Sequence, residues 1–285
     1  MILDGKDVHL SYFVEGDGTP VTLLHGFTQS GNSWREVLAK MPPGYRWIVP
    51  DLRGHGLTRS REGAPCTMEA CTTDLEMLWD HLGVDRTHLI GYSMGGRLAL
   101  HVAARVPHRI LSLLTIGAHA GLDEDAREGR RRGDEALAAR IENDGLEAFV
   151  KYWGSLPLFA GLERRGPSFV AQVRSERLKN HVEGLACSLR GMGAGVMEPV
   201  WEDLAAVNVP CTFVAGQLDH GYVASARRLA SSVPHGRIEV VPRAGHSVHL
   251  ERPDAFSRIL AAHLAAVPAA RGSGTGDAPS SSTVA

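Results

Sequence analysis

At 285 residues, 44% apolar and 22% charged, the chain can bury a sizeable core without covalent staples, which excludes disorder for most of its length. A formal charge of -2 excludes the broad positive field that duplex nucleic acid or an anionic membrane surface rewards, so any anion site must be local. Cys66, Cys71, Cys187 and Cys211 form no C-x-x-C pair and no metal-spaced cluster with histidine; reduced thiols, no metal and no cofactor are expected.

The amino terminus has no basic stretch leading into an apolar run, and no window approaches the roughly 18 apolar residues of a membrane span. A cytoplasmic protein without membrane insertion is expected. Short apolar runs then alternate with helix-period segments, as in βα units wound on a parallel sheet. Strands are predicted at 8–14, 21–24, 46–49, 87–90, 110–116, 211–215 and 238–241. Met68, Cys71, Leu75, Leu78 and Leu82 recur at helical spacing, and a second helix over 94–106 is stopped by Pro107. From about His119 to Leu204 helical patterns follow one another without a convincing strand, with Gly145 as a helix stop. The expected organisation is therefore a core over 1–118, an all-helical lid inserted at 119–204, and a second part of the core over 205–268. Residues 269–285 are rich in Gly, Ser, Thr, Ala and Pro and read as a floppy tail.

Gly91-Tyr92-Ser93-Met94-Gly95 joins a predicted strand directly to a predicted helix. That context suits a strained turn in which small residues two positions either side of a serine push its Oγ into the open. A serine hydroxyl is inert near neutral pH, so it needs a base in hydrogen-bond reach and a carboxylate to orient that base. Asp219 and His246 each follow a predicted strand, in the chain order Ser, Asp, His. His249 is the rival imidazole, and a solvated loop carboxylate is the rival account of Asp219. His25-Gly26-Phe27 follows an early strand, where the backbone N–H groups of Phe27 and Met94 could converge on an oxygen gaining negative charge. His25 itself reads as a structural hydrogen bonder, and Asp51-Leu52-Arg53-Gly54-His55-Gly56 as scaffold for the floor of the site.

The stretches Leu23 to Phe27, Asp51 to Gly56, Gly91 to Arg97 and Gly245 to Glu251 resemble one family of the α/β-hydrolase superfamily, the 2-succinyl-6-hydroxy-2,4-cyclohexadiene-1-carboxylate synthases, often called MenH. Arg97 after the double glycine carries much of that likeness. So do Gly121-Leu122, Arg130 four residues before Asp134, Trp153 with Pro157-Leu158-Phe159, and Ser188 to Gly195. One departure is that the family often has a Lys-Phe pair after the acidic residue, where this chain has His220-Gly221-Tyr222.

The resemblance implies the α/β-hydrolase fold, with a mostly parallel sheet flanked by helices. It further implies a lyase of menaquinone biosynthesis that removes pyruvate from 2-succinyl-5-enolpyruvyl-6-hydroxy-3-cyclohexene-1-carboxylate, with Ser93, His246 and Asp219 abstracting a ring proton. Such a substrate carries three carboxylates, and guanidinium groups bind carboxylates in a fork without losing their charge. By the same carry-over Arg97, Arg130 and Arg174 would bind substrate, the lid alignment leaving 130–132 open to a slip, while Tyr92 and Trp153 would form aromatic walls. A solvated surface charge is the alternative account of each lid arginine. A serine esterase or carbon-carbon hydrolase using an acyl-enzyme, and a non-catalytic binding protein on the same scaffold, are the rival functions.

Overall fold

A computed structural model describes residues 1–267. The proposed tail at 269–285 lies outside the described residues. Among the described residues nine strands form one sheet: β1 (Ile2–Asp4), β2 (Val8–Glu15), β3 (Gly18–Leu24), β4 (Gly44–Pro50), β5 (Arg59–Ser60), β6 (Thr87–Tyr92), β7 (Ile110–Ile116), β8 (Cys211–Gly216) and β9 (Gly236–Val241). Their order is β1-β2-β4-β3-β6-β7-β8-β9, with β5 beside β2. Every pairing from β4 to β9 is parallel, and only those made by β2 are antiparallel. The seven predicted strands are all present. The two that sequence patterning missed, β1 and β5, are edge strands of three and two residues, too short to produce a periodic signal.

β6, β7 and β8 are buried along their whole length, as expected of central parallel strands covered on both faces. Helix α1 (Arg35–Leu38) precedes α2 (Met68–His81) and α3 (Met94–Arg105) in the chain. Thr67 caps α2 by accepting the Ala70 N–H, and Pro107 follows the end of α3. One apolar layer joins α2 and α3 to the sheet through Leu75, Leu78, Leu98, Val102 and Phe213. Each such side chain contributes about 1.5 to 3 kcal/mol of burial.

Between β7 and β8, which are neighbours in the sheet, the chain runs through α4 (Glu124–Gly154), α5 (Pro167–Arg177) and α6 (Val182–Met192). α4 breaks at Gly145, whose φ of 79° lies where a side chain would be strained. Arg190 on α6 forks to both Glu135 and Glu142 on α4 at 2.5 to 2.9 Å, fastening the two helices together. α7 (His220–Ser232) joins the first apolar layer, while Trp34, Val37, Phe256 and Leu260 build the opposite layer with α8 (Val248–Glu251) and α9 (Pro253–Ala265) close by. No helix among the described residues is long and apolar enough to cross a membrane.

Candidate active site

Three strand-end loops meet at one point. Ser93 sits between β6 and α3 with φ 52° and ψ -110°, a conformation that costs of order 1–3 kcal/mol and persists only if its surroundings enforce it. They do: a Cβ on Gly91 would lie 2.3 Å from the Gly95 carbonyl oxygen, and one on Gly95 would lie 2.5 Å from the carbonyl oxygens of Leu24 and His25. The Ser93 hydroxyl donates to His246 Nε2 at 2.9 Å, and His246 Nδ1–H donates to Asp219 Oδ2 at 2.7 Å. The alcohol, imidazole and carboxylate chosen from the sequence thus stand in one hydrogen-bonded row. His249 takes no part: it is packed between Trp34 and Tyr92, neither ring nitrogen has a partner among the described residues, and burial drags its pKa to about 3.

Gly117 is the residue that sequence reasoning missed here. Its φ is 57°, and a Cβ on it would meet the His246 ring at 2.8 Å, so only glycine leaves room for the imidazole. A glycine ending an apolar strand, as Gly91 and Gly216 also do, was the available signal.

On the opposite side, Leu52 N–H donates to His25 Nε2 at 2.9 Å while His25 Nδ1–H donates to the Gly26 carbonyl. Burial lowers this imidazole to about 4, so it is a neutral strut, as its sequence context suggested. The Asp51 carboxylate takes the N–H groups of Gly31 and Leu57, and Arg53 pairs with buried Asp74, which makes the Asp51 to Gly56 loop the scaffold expected of it. No backbone carbonyl among the described residues takes the N–H of Phe27 or Met94, and both residues border the cavity beside Ser93. Asn180, just past α5, donates to the Thr28 carbonyl and accepts from Gly56 N–H, tying both loops to the helical segment.

The cavity measures about 110 Å³, and its walls include Tyr92, Arg97, Arg130, Trp153 and Tyr222. Tyr92 is a floor under the imidazole, with its hydroxyl bonded to Ser247 Oγ at 2.7 Å. Trp153 stands edge-on to Phe27 at 5.4 Å and stacks on Phe149. Arg130 reaches the cavity while its Nε holds Asp134 at 2.8 Å. Arg97, one turn beyond Ser93 on α3, is 9% exposed, and its only partners among the described residues are the Met192 carbonyl oxygen at 2.7 Å and the Met197 sulfur at 3.4 Å. Burial pulls its pKa down to about 10, so it remains cationic at neutral pH with no carboxylate among the described residues paired to it.

The Ser188 to Gly195 stretch explains that arrangement. A Cβ on Gly191 would strike the Cys66 carbonyl oxygen at 2.3 Å, and one on Gly195 the Arg131 N at 2.3 Å; the glycines let the turn after α6 close down until Met192 meets Arg97.

Arg174 is a correction. It is 49% exposed, pairs with Glu147 at 2.9 Å and does not border this cavity. Three residues on, Arg177 is the buried cation of α5, 4% exposed, its guanidinium 4.5 Å from the centre of the Phe159 ring and close above Gly154. It has no carboxylate partner among the described residues and lies one side chain behind the cavity wall.

A parallel sheet in this order, a strained serine at a strand-to-helix turn, and partners on two later strand ends define the α/β-hydrolase class, and the family model for the alpha/beta hydrolase fold matches residues 19–253. A 2-succinyl-6-hydroxy-2,4-cyclohexadiene-1-carboxylate synthase of Klebsiella pneumoniae is 30% identical over 86% of this chain and 93% of its own length. A Bacillus subtilis protein provisionally named for the same synthase is 39% identical over 87% of this chain and 90% of its own. The structure of MenH from S. aureus superposes with a TM-score of 0.85, at 29% identity, covering 90% of this chain and 98% of that one. The chain belongs to this synthase family within the α/β-hydrolases.

Proposed function

We propose that the chain is a carbon-oxygen lyase of menaquinone biosynthesis that eliminates pyruvate from 2-succinyl-5-enolpyruvyl-6-hydroxy-3-cyclohexene-1-carboxylate, leaving 2-succinyl-6-hydroxy-2,4-cyclohexadiene-1-carboxylate. The observation that carries this reading is Arg97, a buried guanidinium in the serine's own cavity with no carboxylate among the described residues paired to it. Burying a charge without a counter-charge is costly. A neutral ester gives nothing back for it, whereas a substrate with three carboxylates supplies the missing partner.

In this reading Asp219 fixes the tautomer of His246, and the Ser93–His246 pair is a base. Ser93 Oγ removes the ring proton beside the succinyl carbonyl as its own proton passes to His246 Nε2. The freed electron pair moves through the existing ring double bond and breaks the bond to the enolpyruvyl oxygen. The departing enolate takes up at carbon a proton equivalent to the one now on His246, which becomes neutral again, and is released as pyruvate. The N–H groups of Phe27 and Met94 bind the carbonyl oxygen as it gains enolate charge, a role that needs no side chain. Arg97 and Arg130 bind carboxylates, Tyr92 and Trp153 hold the ring, and residues 119–204 serve as the lid over a core of 1–118 and 205–268.

The test is to supply the enolpyruvyl substrate and follow pyruvate by a coupled dehydrogenase. Pyruvate release that depends on Ser93 is expected. No release, beside brisk hydrolysis of short p-nitrophenyl esters, would replace the lyase by an esterase using an acyl-enzyme.

A further inference from the structure

Arg97 shares its cavity with two neutral side chains, His119 just after β7 and Tyr222 in the first turn of α7. The Tyr222 ring lies 4.6 Å from the His246 ring and 6.3 Å from that of His119, so the two side chains flank the space above the imidazole together. The Tyr92 hydroxyl is taken by Ser247. The Tyr222 hydroxyl, by contrast, has no protein partner among the described residues. His119 Nδ1 accepts the Gly121 N–H at 3.1 Å, which leaves the ring proton on Nε2 as a donor. Burial, reinforced by the charges of Arg97 and Arg130, keeps this imidazole neutral, with its pKa lowered to about 3.

A carboxylate offers about four lone-pair sites. Arg97 cannot fill them alone, because its Nη1 is already committed to the Met192 carbonyl. A third cation would add repulsion to that between Arg97 and Arg130, whereas neutral donors add direction without charge. We propose that His119 and Tyr222 are specificity-determining residues, their Nε2–H and O–H completing with Arg97 a three-donor clamp on one substrate carboxylate. This rests on the lyase reading for the identity of the carboxylate, but the clamp can be tested without turnover.

Tyr222→Phe keeps the ring and removes only the donor. In the pyruvate-release assay kcat/KM should fall about tenfold to a hundredfold, the range of one hydrogen bond to a charged group. The loss should lie in KM, with kcat kept within about threefold. In an Arg97→Ala background the same change should cost less than about threefold, because the shared ligand group is no longer held. His119→Leu should repeat the pattern. Calorimetric titration of the wild type with succinate, and with succinamide as the uncharged control, supplies the readout free of turnover. Tyr222→Phe should weaken succinate about tenfold and leave succinamide unchanged. An unchanged KM, a loss confined to kcat, the full loss persisting without Arg97, or succinate binding that is absent in the wild type or equal in the variant overturns the clamp. Absence of pyruvate release by the wild type would instead defeat the lyase reading, and the succinate titration would still judge the clamp.

Discussion

The strand-end loops and the helical segment between β7 and β8 build the same cavity by opposite means. In the loops, position comes from backbone: Ser93 at positive φ, glycines at 91, 95 and 117 where no Cβ fits, and a histidine strut under Gly26. In the helical segment, position comes from side chains. Arg190 clamps α4 to α6, Asn180 ties α5 to the core loops, and Phe149, Phe159 and Trp153 stack into a wall. Under the proposed function, chemistry that requires tenths of an ångström falls to groups held by rigid backbone, and recognition of charge to side chains.

The first way to break that comparison is to remove the serine oxygen. Ser93→Ala should lower kcat roughly 10² to 10⁴-fold, the usual worth of a positioned base, with substrate affinity held within about threefold. Steady-state pyruvate release and a binding titration check both parts. A fall nearer 10⁶ is the signature of an acyl-transfer triad, and would shift the chemistry toward the esterase. Next in size is Arg97→Ala. Losing a desolvated partner for a carboxylate costs about 2 to 5 kcal/mol, so kcat/KM should drop at least about thirtyfold. Wild-type efficiency in that variant would mean the cavity is not an anion site.

The same contrast explains what could be read from residue order. Central strands announce themselves because burial on both faces makes 87–92, 110–116 and 211–216 runs of mostly apolar or small residues. Ser93 and Asp219 were legible because each lies in the loop that such a strand must end in, and His246 because it follows β9, the parallel strand at the end of the sheet. Arg174 and Arg177 were not separable. They lie one turn apart on α5, and which is buried depends on Gly154 and Phe159, brought there by packing and not by proximity in sequence. Gly117 and Asn180 were missed for that reason also: each acts on a group far along the chain, the His246 ring and the Thr28 carbonyl. Tyr222 was visible only as an oddity after Asp219, since nothing in the order of residues says that its hydroxyl is unpartnered.

A smaller effect belongs to the core side alone. His249 is buried with both nitrogens unsatisfied, its pKa lowered from 6.5 to about 3. The unfolded chain takes up a proton near pH 6.5 while the folded chain does not, so this imidazole contributes stability that is full above 6.5 and is lost as pH falls toward 3. Between pH 5.5 and 4.5 the loss is roughly 1.4 kcal/mol per pH unit from this one group. His249→Phe keeps a ring between Trp34 and Tyr92, and should flatten the acid side of the stability profile by about that slope. Urea unfolding at a series of pH values measures it, and parallel profiles for the two proteins would mean that His249 takes up its proton without unfolding.

The smallest effect is the sharpest test of the helical side, because it asks whether burial, and not helix position, selects the functional arginine. Arg174 is half exposed and its bond to Glu147 is a surface pair, which typically contributes about 0 to 1 kcal/mol. Arg174→Ala should therefore leave kcat/KM within about twofold and stability within about 0.5 kcal/mol, the usual margin for an exposed site. Arg177→Ala in parallel should lose more of both, since it empties a fully packed position over the Phe159 ring. Pyruvate release and thermal midpoints on the pair decide it. If Arg174→Ala is the more damaged protein, α5 turns its other face to the substrate during turnover, and the helical segment is more mobile than its ion pairs and stacked rings imply.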